Sequence, residues 1–383
     1  MIKASSIMTN LTESGFQFVL CAVSILLVGG RGATATVSTP QTATPTISIT
    51  TTTGAQNGAV VASLSTITSG ATIHYTLDGT TPTTSSQVYE APFLVASNLT
   101  VKAIATLSGS TDSSVVTKAF KPNIAPGTLV WSDEFANSTS AKKAPDASVW
   151  TYDTGNDSGW GNSELEVYCA YGSTVTPCSR TTLNAYVAPG GGLKIVAEEP
   201  SRDVYTSARM KTQGLFSFQY GRVEIKAEVP ESQGFWPAFW LMGNNISTIG
   251  WPGCGEMDVL ERVDAAGSPD WNAGSIHGTG VTGINIGTKY YFPKGQTAAT
   301  AHTYGMIWRK GSVEYYVDDE TKPYATSTPS NFNSFSGSVW PFDTGPNFII
   351  LNLAVGGSWP GNPTASTPFP STMKVDYVRV YDN

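Results

Sequence analysis

Gly255-Glu256-Met257-Asp258-Val259-Leu260-Glu261 places three carboxylates within six residues of an apolar, strand-like run. Side chains on a strand alternate between two faces, so Glu256 and Asp258 share one. Strict alternation puts Glu261 on the other face with Met257 and Val259, and a charge driven into a core is costly without a partner. One extra residue, a β-bulge at Val259-Leu260, restores the parity. Glu256, Asp258 and Glu261 then project together while the apolar residues face inward. This stretch predicts a sheet with a buried face and a working face.

The flanking sequence extends that sheet. Phe235-Trp236-Pro237-Ala238-Phe239-Trp240-Leu241-Met242 is apolar on both faces: Phe235, Phe239 and Leu241 suit a core, and Trp236, Ala238 and Trp240 take the other side. Arg222 to Val229 alternates, with Val223, Ile225, Ala227 and Val229 inward and Arg222, Glu224, Lys226 and Glu228 toward water. Phe348–Val355 is a buried central strand, and Met373–Tyr381 closes the run. No segment longer than a turn or two is helical. About 250 residues of such strands predict an all-β, two-sheet sandwich of jelly-roll type over residues 129–383.

A smaller unit precedes it. Residues 36–46 are Thr/Ala/Pro-rich and read as a linker. Residues 47–120 hold short β runs, Gly58–Leu64, Thr72–Leu77 and Leu99–Ala105, with a turn signal at Asp78-Gly79 before Pro82. They predict a small β-sandwich, in which His74 is a half-buried strand residue rather than a ligand. Residues 121–128, Lys121-Pro122-Asn123-Ile124-Ala125-Pro126-Gly127-Thr128, form a second linker. At the N-terminus, an apolar run from Phe16 to Val28 and the small-x-small pattern Ala33-Thr34-Ala35 read as a signal peptide over residues 1–35. A retained membrane anchor is the alternative.

Composition bounds the function. A total of 383 residues predicts more than one domain. The charged fraction is 13%, and the net charge is −7. With no basic cluster, nucleic acid and anionic membranes are excluded as partners. A neutral sugar polymer is indifferent to that charge. Cys169 and Cys178 bracket a short loop and can close it as a disulfide in an oxidising compartment. Cys254 reads as a small buried hydrophobe.

Paired carboxylates suit glycoside hydrolysis, which needs a nucleophile or base and a proton donor flanking the scissile bond. The alternatives for three acids alone are a solvated strand or a cation site. Trp236, Trp240 and Trp251 all lie within the 20 residues before Glu256. Flat sugar faces stack on such rings, and two tryptophans four apart on a strand whose other face is already apolar read as a cleft floor.

On these residues two resemblances rest. Tyr75 to Pro82, Ser85-Ser86, Tyr89 and the strand Thr100–Ala105 resemble the small β domain found at the C-terminus of chitobiases, an accessory or spacer module. The stretch Glu256 to Glu261 resembles the bulged E-x-D-x-x-E signature of glycoside hydrolase family 16. Supporting blocks are Trp131–Phe135, Gly161–Tyr168, Ser207–Thr212, Tyr220–Glu224, Gly234–Trp240, Trp251-Pro252, Ser275–Gly278, Asn352–Gly357 and Val375–Tyr381. The resemblance implies a concanavalin A-like jelly roll with a concave cleft and retaining endo-hydrolysis. It implies Glu256 as nucleophile, Asp258 as its assistant and Glu261 as general acid/base. The bulged form is most similar to bacterial laminarinases, which cut β-1,3-glucans. Mixed-linkage glucan, agar and carrageenan remain open as substrates, as do transglycosylation and a non-catalytic glucan-binding role. Asn162, Arg209, Trp236, Trp240, Trp251 and His277 map to sugar-holding positions. No cofactor takes part in the implied chemistry. A structural calcium is implied near the start and end of the domain, with Glu134 and Asp376 as its protein acids, unless these cap loops. Glu166 stands where the family commonly has Gln. The expected protein is a secreted monomer, extracellular, at the cell surface or periplasmic.

Overall fold

The computed structural model describes residues 39–50, 54–264, 270–281 and 289–383. The expected signal peptide lies outside the described residues. Among them, no helix is long and apolar enough to cross a membrane. The two α-helices among the described residues, Ile246–Ile249 and Pro329–Phe332, are single turns.

Two small sheets occupy the N-terminal part. One pairs Thr46–Thr50, Val60–Ser65 and Phe93–Val95; the other orders Gln87–Val88, Thr72–Thr76, Leu99–Thr106 and Val116–Phe120. They share a core of Ile47, Leu64, Ile73, Tyr75, Phe93, Val101 and Phe120. His74 is buried in its strand, its Nδ1 3.1 Å from the Ser86 carbonyl oxygen.

Residues 129–381 form two larger sheets. A seven-stranded antiparallel sheet runs Lys289–Tyr291, Trp271–His277, Glu256–Glu261, Phe235–Gly243, Asn347–Val355, Arg209–Lys211, Thr151–Asp153. A ten-stranded sheet, with Ser371–Tyr381 and Gly221–Glu228 near its middle, covers its inner side. Between them lies one core, with Val223, Ile225, Phe239, Leu241, Met257, Ile349, Leu351, Val375 and Val378 all buried. The alternating pattern of Gly221–Glu228 is realised in full on the inward side. Its outward side is drier than expected: Glu224 is only 5% exposed. Three tyrosine hydroxyls cover it, those of Tyr316 (2.8 Å), Tyr381 (3.0 Å) and Tyr377 (3.4 Å), and Arg222 pairs with it at 2.5 Å.

The acid-bearing strand needs support from beneath. Gly274, in the adjacent strand, supplies it: a Cβ there would lie 2.4 Å from the Tyr315 ring. Because Gly274 has none, Tyr315 packs flush under the sheet and its hydroxyl donates to the Ser275 carbonyl at 2.5 Å.

Candidate active site

The expected bulge is present. Against Phe235–Gly243, Trp240 pairs with Asp258 but Phe239 pairs with Leu260, so Val259 is skipped. The register to Trp271–His277 breaks at the same place, between Asp258 and Glu261. Val259 and Leu260 are both fully buried in the core. Glu256, Asp258 and Glu261 therefore project from the opposite face, with Trp236 and Trp240.

Asn272 holds the bulge, and nothing in the sequence pattern singled it out. Its Oδ1 accepts from the Glu261 backbone N–H at 3.2 Å. Its Nδ2 lies 3.1 Å from both the Val259 carbonyl and the Tyr324 hydroxyl. A bulge orphans backbone groups, and a buried orphan is costly. Asn272→Ala should destabilise the fold by about 2 kcal/mol in urea unfolding through those lost partners. It should also slow turnover on glucan by about tenfold, because Glu261 loses its fixed position.

Each acid has a distinct environment. Glu256 is partly exposed and accepts a 2.7 Å hydrogen bond from Trp251 Nε1. Asp258 is 2% exposed, and its Oδ2 lies 3.2 Å from His277 Nε2. Burial pushes the Asp258 carboxyl well above the usual range, and the charge of Glu256 and a hydrogen bond to it add to the shift. Glu261 accepts from Trp236 Nε1 at 3.0 Å. Its carboxyl is likewise held far above the ordinary range, by burial first and then by the negative charges of Asp258 and Glu256. A side-chain oxygen or nitrogen of each of Glu256, Asp258 and His277 lies within 4.8 Å of the others. The strand therefore presents a partly exposed carboxylate and two buried acids that favour their protonated forms.

The aromatic floor extends further than the sequence indicated. Trp240 Nε1 donates to Asn352 Oδ1 at 2.8 Å. Arg209 lies between the rings of Trp160 (5.0 Å) and Trp240 (4.7 Å) and pairs with Asp153 at 3.0 Å. On the other flank Trp359 meets Trp236 edge-on at 4.9 Å and Trp271 at 5.9 Å. Asn162 lies at the loop carrying Trp359: its carbonyl accepts from Ser358 N at 2.7 Å, and its Nδ2 donates to Glu164 Oε1 at 3.0 Å. Of the expected residues, Trp236, Trp251 and His277 each contact one of the acids, Arg209 stacks on Trp240, and Asn162 stands at the Trp359 loop. Trp160, Glu164, Trp271, Asn272, Asn352 and Trp359 join them. Of these, Glu164 and Asn352 fall inside blocks with a family resemblance; the rest carry no spacing signal.

Glu166 is buried behind Glu164, where its Oε2 accepts from Val355 N at 2.7 Å. Burial, then the charge of Glu164, pushes its carboxyl up to about 8 from the ordinary 4.5. The folded protein holds this proton more tightly than the unfolded chain does. The stability it contributes is complete below about pH 4.5 and is lost as pH rises through about 8. Glu166→Gln keeps the acceptor for Val355 N–H and has no proton to lose. Melting temperatures measured from pH 5 to pH 9 should converge at the acid end and favour the variant at the alkaline end.

Cys169 and Cys178 are joined as a disulfide, and Cys254 is free and buried. Glu134 and Asp376 are each engaged by a cation. Arg379 grips Glu134 with two bonds, of 2.8 and 2.9 Å, and Lys226 pairs with Asp376 at 3.2 Å. Neither belongs to a converging group of three acid, His or Cys side chains among the described residues. As side-chain donors the two do not fit the oxygen cage that calcium takes.

A jelly roll whose open sheet face sets three acids, two of them buried, among tryptophans is the architecture of a polysaccharide-cleaving glycoside hydrolase. Sequence comparison agrees: the profile of glycosyl hydrolases family 16 matches residues 174–379, and the chain belongs to that family. A profile described as Fn3 associated matches residues 63–120. The chain is 36% identical over 264 residues to a beta-glucanase of Rhodothermus marinus, covering 66% of this chain and 84% of that protein. It is 35% identical over 286 residues to glucan endo-1,3-beta-glucosidase A1 of Niallia circulans, covering 68% of this chain but only 38% of that longer protein. The laminarinase catalytic domain of Thermotoga maritima superposes with a TM-score of 0.57 at 36% identity, over 67% of this chain and 98% of that one.

Proposed function

We propose that the chain is a secreted, monomeric, retaining endo-β-1,3-glucanase. The observation that carries this reading is the bulge-aligned trio, in which a carboxylate held by an indole N–H stands with a buried acid that keeps its proton. The named activities of the relatives support the substrate class. The cations near the trio support a neutral glycan. Arg262, just beyond the strand, is 3% exposed and already held by Glu231, Asp264 and Asp270, which leaves it no capacity for a sulfate.

In the first step Glu261 gives its proton to the departing glycosidic oxygen, and that carbon–oxygen bond breaks. A Glu256 oxygen forms a bond to the anomeric carbon from the opposite face. Asp258, protonated, steadies Glu256 by hydrogen bonding. Once Glu256 is esterified its charge is gone, and with it one of the influences that held Glu261 protonated. Glu261, now ionised, takes a proton from water as that water displaces Glu256. Two inversions give net retention.

Product profiles on laminarin, lichenan, agarose and carrageenan, run side by side, test the substrate. Proton NMR of the first-formed anomer tests the stereochemistry. Preferential laminarin cleavage with an initial β-anomer is expected. Cleavage confined to another polymer, or an initial α-anomer, would overturn the reading.

A further inference from the structure

The N-terminal β-sandwich shares the jelly-roll core and hydrogen-bonds the helix that precedes Trp251. Ala59, Val61 and Leu94 belong to the main jelly-roll core rather than to the small one. The Leu94 N–H donates to the Ser217 carbonyl at 2.8 Å, and Ser217 Oγ donates to the Pro92 carbonyl at 2.7 Å. Gln87 fills the space over Gly345, where a Cβ would fall 1.7 Å from its side chain. Such a junction does not behave as a flexible spacer.

The same junction grips one particular loop. Asn244 Nδ2 donates to Ser217 Oγ at 2.8 Å within the buried seam. The helix Ile246–Ile249 follows at once. Ser247 Oγ donates to Glu90 Oε2 at 2.6 Å. Thr248 Oγ1 lies 3.2 Å from Glu90 Oε1, sharing its single proton with the Asn245 carbonyl at 3.0 Å. From the helix to the catalytic strand the chain is tightly folded. Gly250 N bonds to Ile246 O at 2.9 Å and Cys254 N to Gly250 O at 3.0 Å, and a Cβ at Gly253 would meet Ile249 at 2.9 Å. Trp251, carried by this loop, is the residue whose N–H holds Glu256.

We infer that Glu90 of the N-terminal domain is a positioning residue for the catalytic nucleophile, acting through Ser247, the 246–254 loop and Trp251. The inference rests on the glucanase reading for its kinetic test but not for its structural one. An indole N–H donated to a carboxylate fixes where its oxygens stand. Loosening Trp251 therefore lowers kcat and quickens amide exchange in this loop alone, which a general loss of stability does not do.

The experiment compares Glu90→Ala, Glu90→Gln and Trp251→Phe in the full chain, with laminarin hydrolysis and hydrogen–deuterium exchange as readouts. Glu90→Ala should lower kcat/KM about threefold, as for one lost hydrogen bond, with the fall in kcat as for Trp251→Phe. Amide exchange at Gly250 and Cys254 should quicken while Phe235–Gly243 is unchanged. Glu90→Gln, which still accepts from Ser247, should restore both. If Trp251→Phe lowers kcat but Glu90→Ala changes neither kcat nor exchange, the inference is wrong. Faster loop exchange in Glu90→Ala together with no laminarin hydrolysis by the unaltered protein would uphold the coupling and overturn the glucanase reading.

Discussion

Glu256→Ala is expected to abolish release of reducing ends from laminarin, by roughly 10⁵-fold or more, because it removes the atom that bonds to the anomeric carbon. Glu256 is partly exposed at the working face and its contacts are polar, so its truncation opens no core cavity and the fold should survive. The gap left by the carboxylate offers a built-in check. A small anion such as azide or formate should enter it and attack an activated aryl glucoside, giving a product of inverted configuration. Circular dichroism and melting temperature confirm that a folded protein is being assayed. Full activity in this variant would end the nucleophile assignment, whatever the substrate.

The second large effect falls on Glu261. Glu261→Gln keeps the size of the side chain and an oxygen to accept from Trp236 Nε1, but it has no proton to give. Hydrolysis of laminarin, whose sugar leaving group needs that proton, should fall about 10³-fold. An aryl glycoside with a leaving group that departs unprotonated should still glycosylate Glu256 at close to the normal rate. The two substrates thus separate a lost proton donor from a collapsed site. The pH profile separates them again. Burial and the charges of Asp258 and Glu256 raise the Glu261 carboxyl, so the active, protonated form persists well above the ordinary carboxylate range. Activity should decline on the alkaline side as that proton is lost, and the variant should lack this alkaline limb.

These two variants address the residues most legible in the sequence, and the reason is the regularity of a strand. A period of two converts spacing into facing, so Glu256 and Asp258 could be placed together from their positions alone. The parity conflict at Glu261 demanded a bulge, and the registers on both sides of the strand now show it at Val259-Leu260. Trp236 and Trp240 followed by the same rule. Asn272 did not, because its role is to satisfy backbone groups that exist only where two strands fail to match. Trp359 and Trp271 reach the face from a loop and a neighbouring strand, where no periodicity points. Glu224 misled in the other direction: an outward strand position predicts water, and three tyrosines from elsewhere exclude it.

The N-terminal segment marks the same divide. Short β runs and a turn signal were enough to expect a small sandwich, since both are local. Whether it hangs from a linker or shares a core with its neighbour depends on which apolar residues two surfaces happen to exchange. Ala59, Val61 and Leu94 carry no mark of that in sequence.

From local periodicity, turn chemistry and side-chain type, the sequence by itself determined the all-β class, the inner and outer residues of the acid-bearing strand, and the need for a bulge. Only the tertiary structure decided what surrounds those acids: Asn272 clamping the bulge, burial keeping Glu261 protonated, Trp251 holding Glu256, and Glu90 bracing the loop behind it. Proton affinity and position depend on neighbours that approach through space from distant parts of the chain, and a one-dimensional pattern carries no record of that approach.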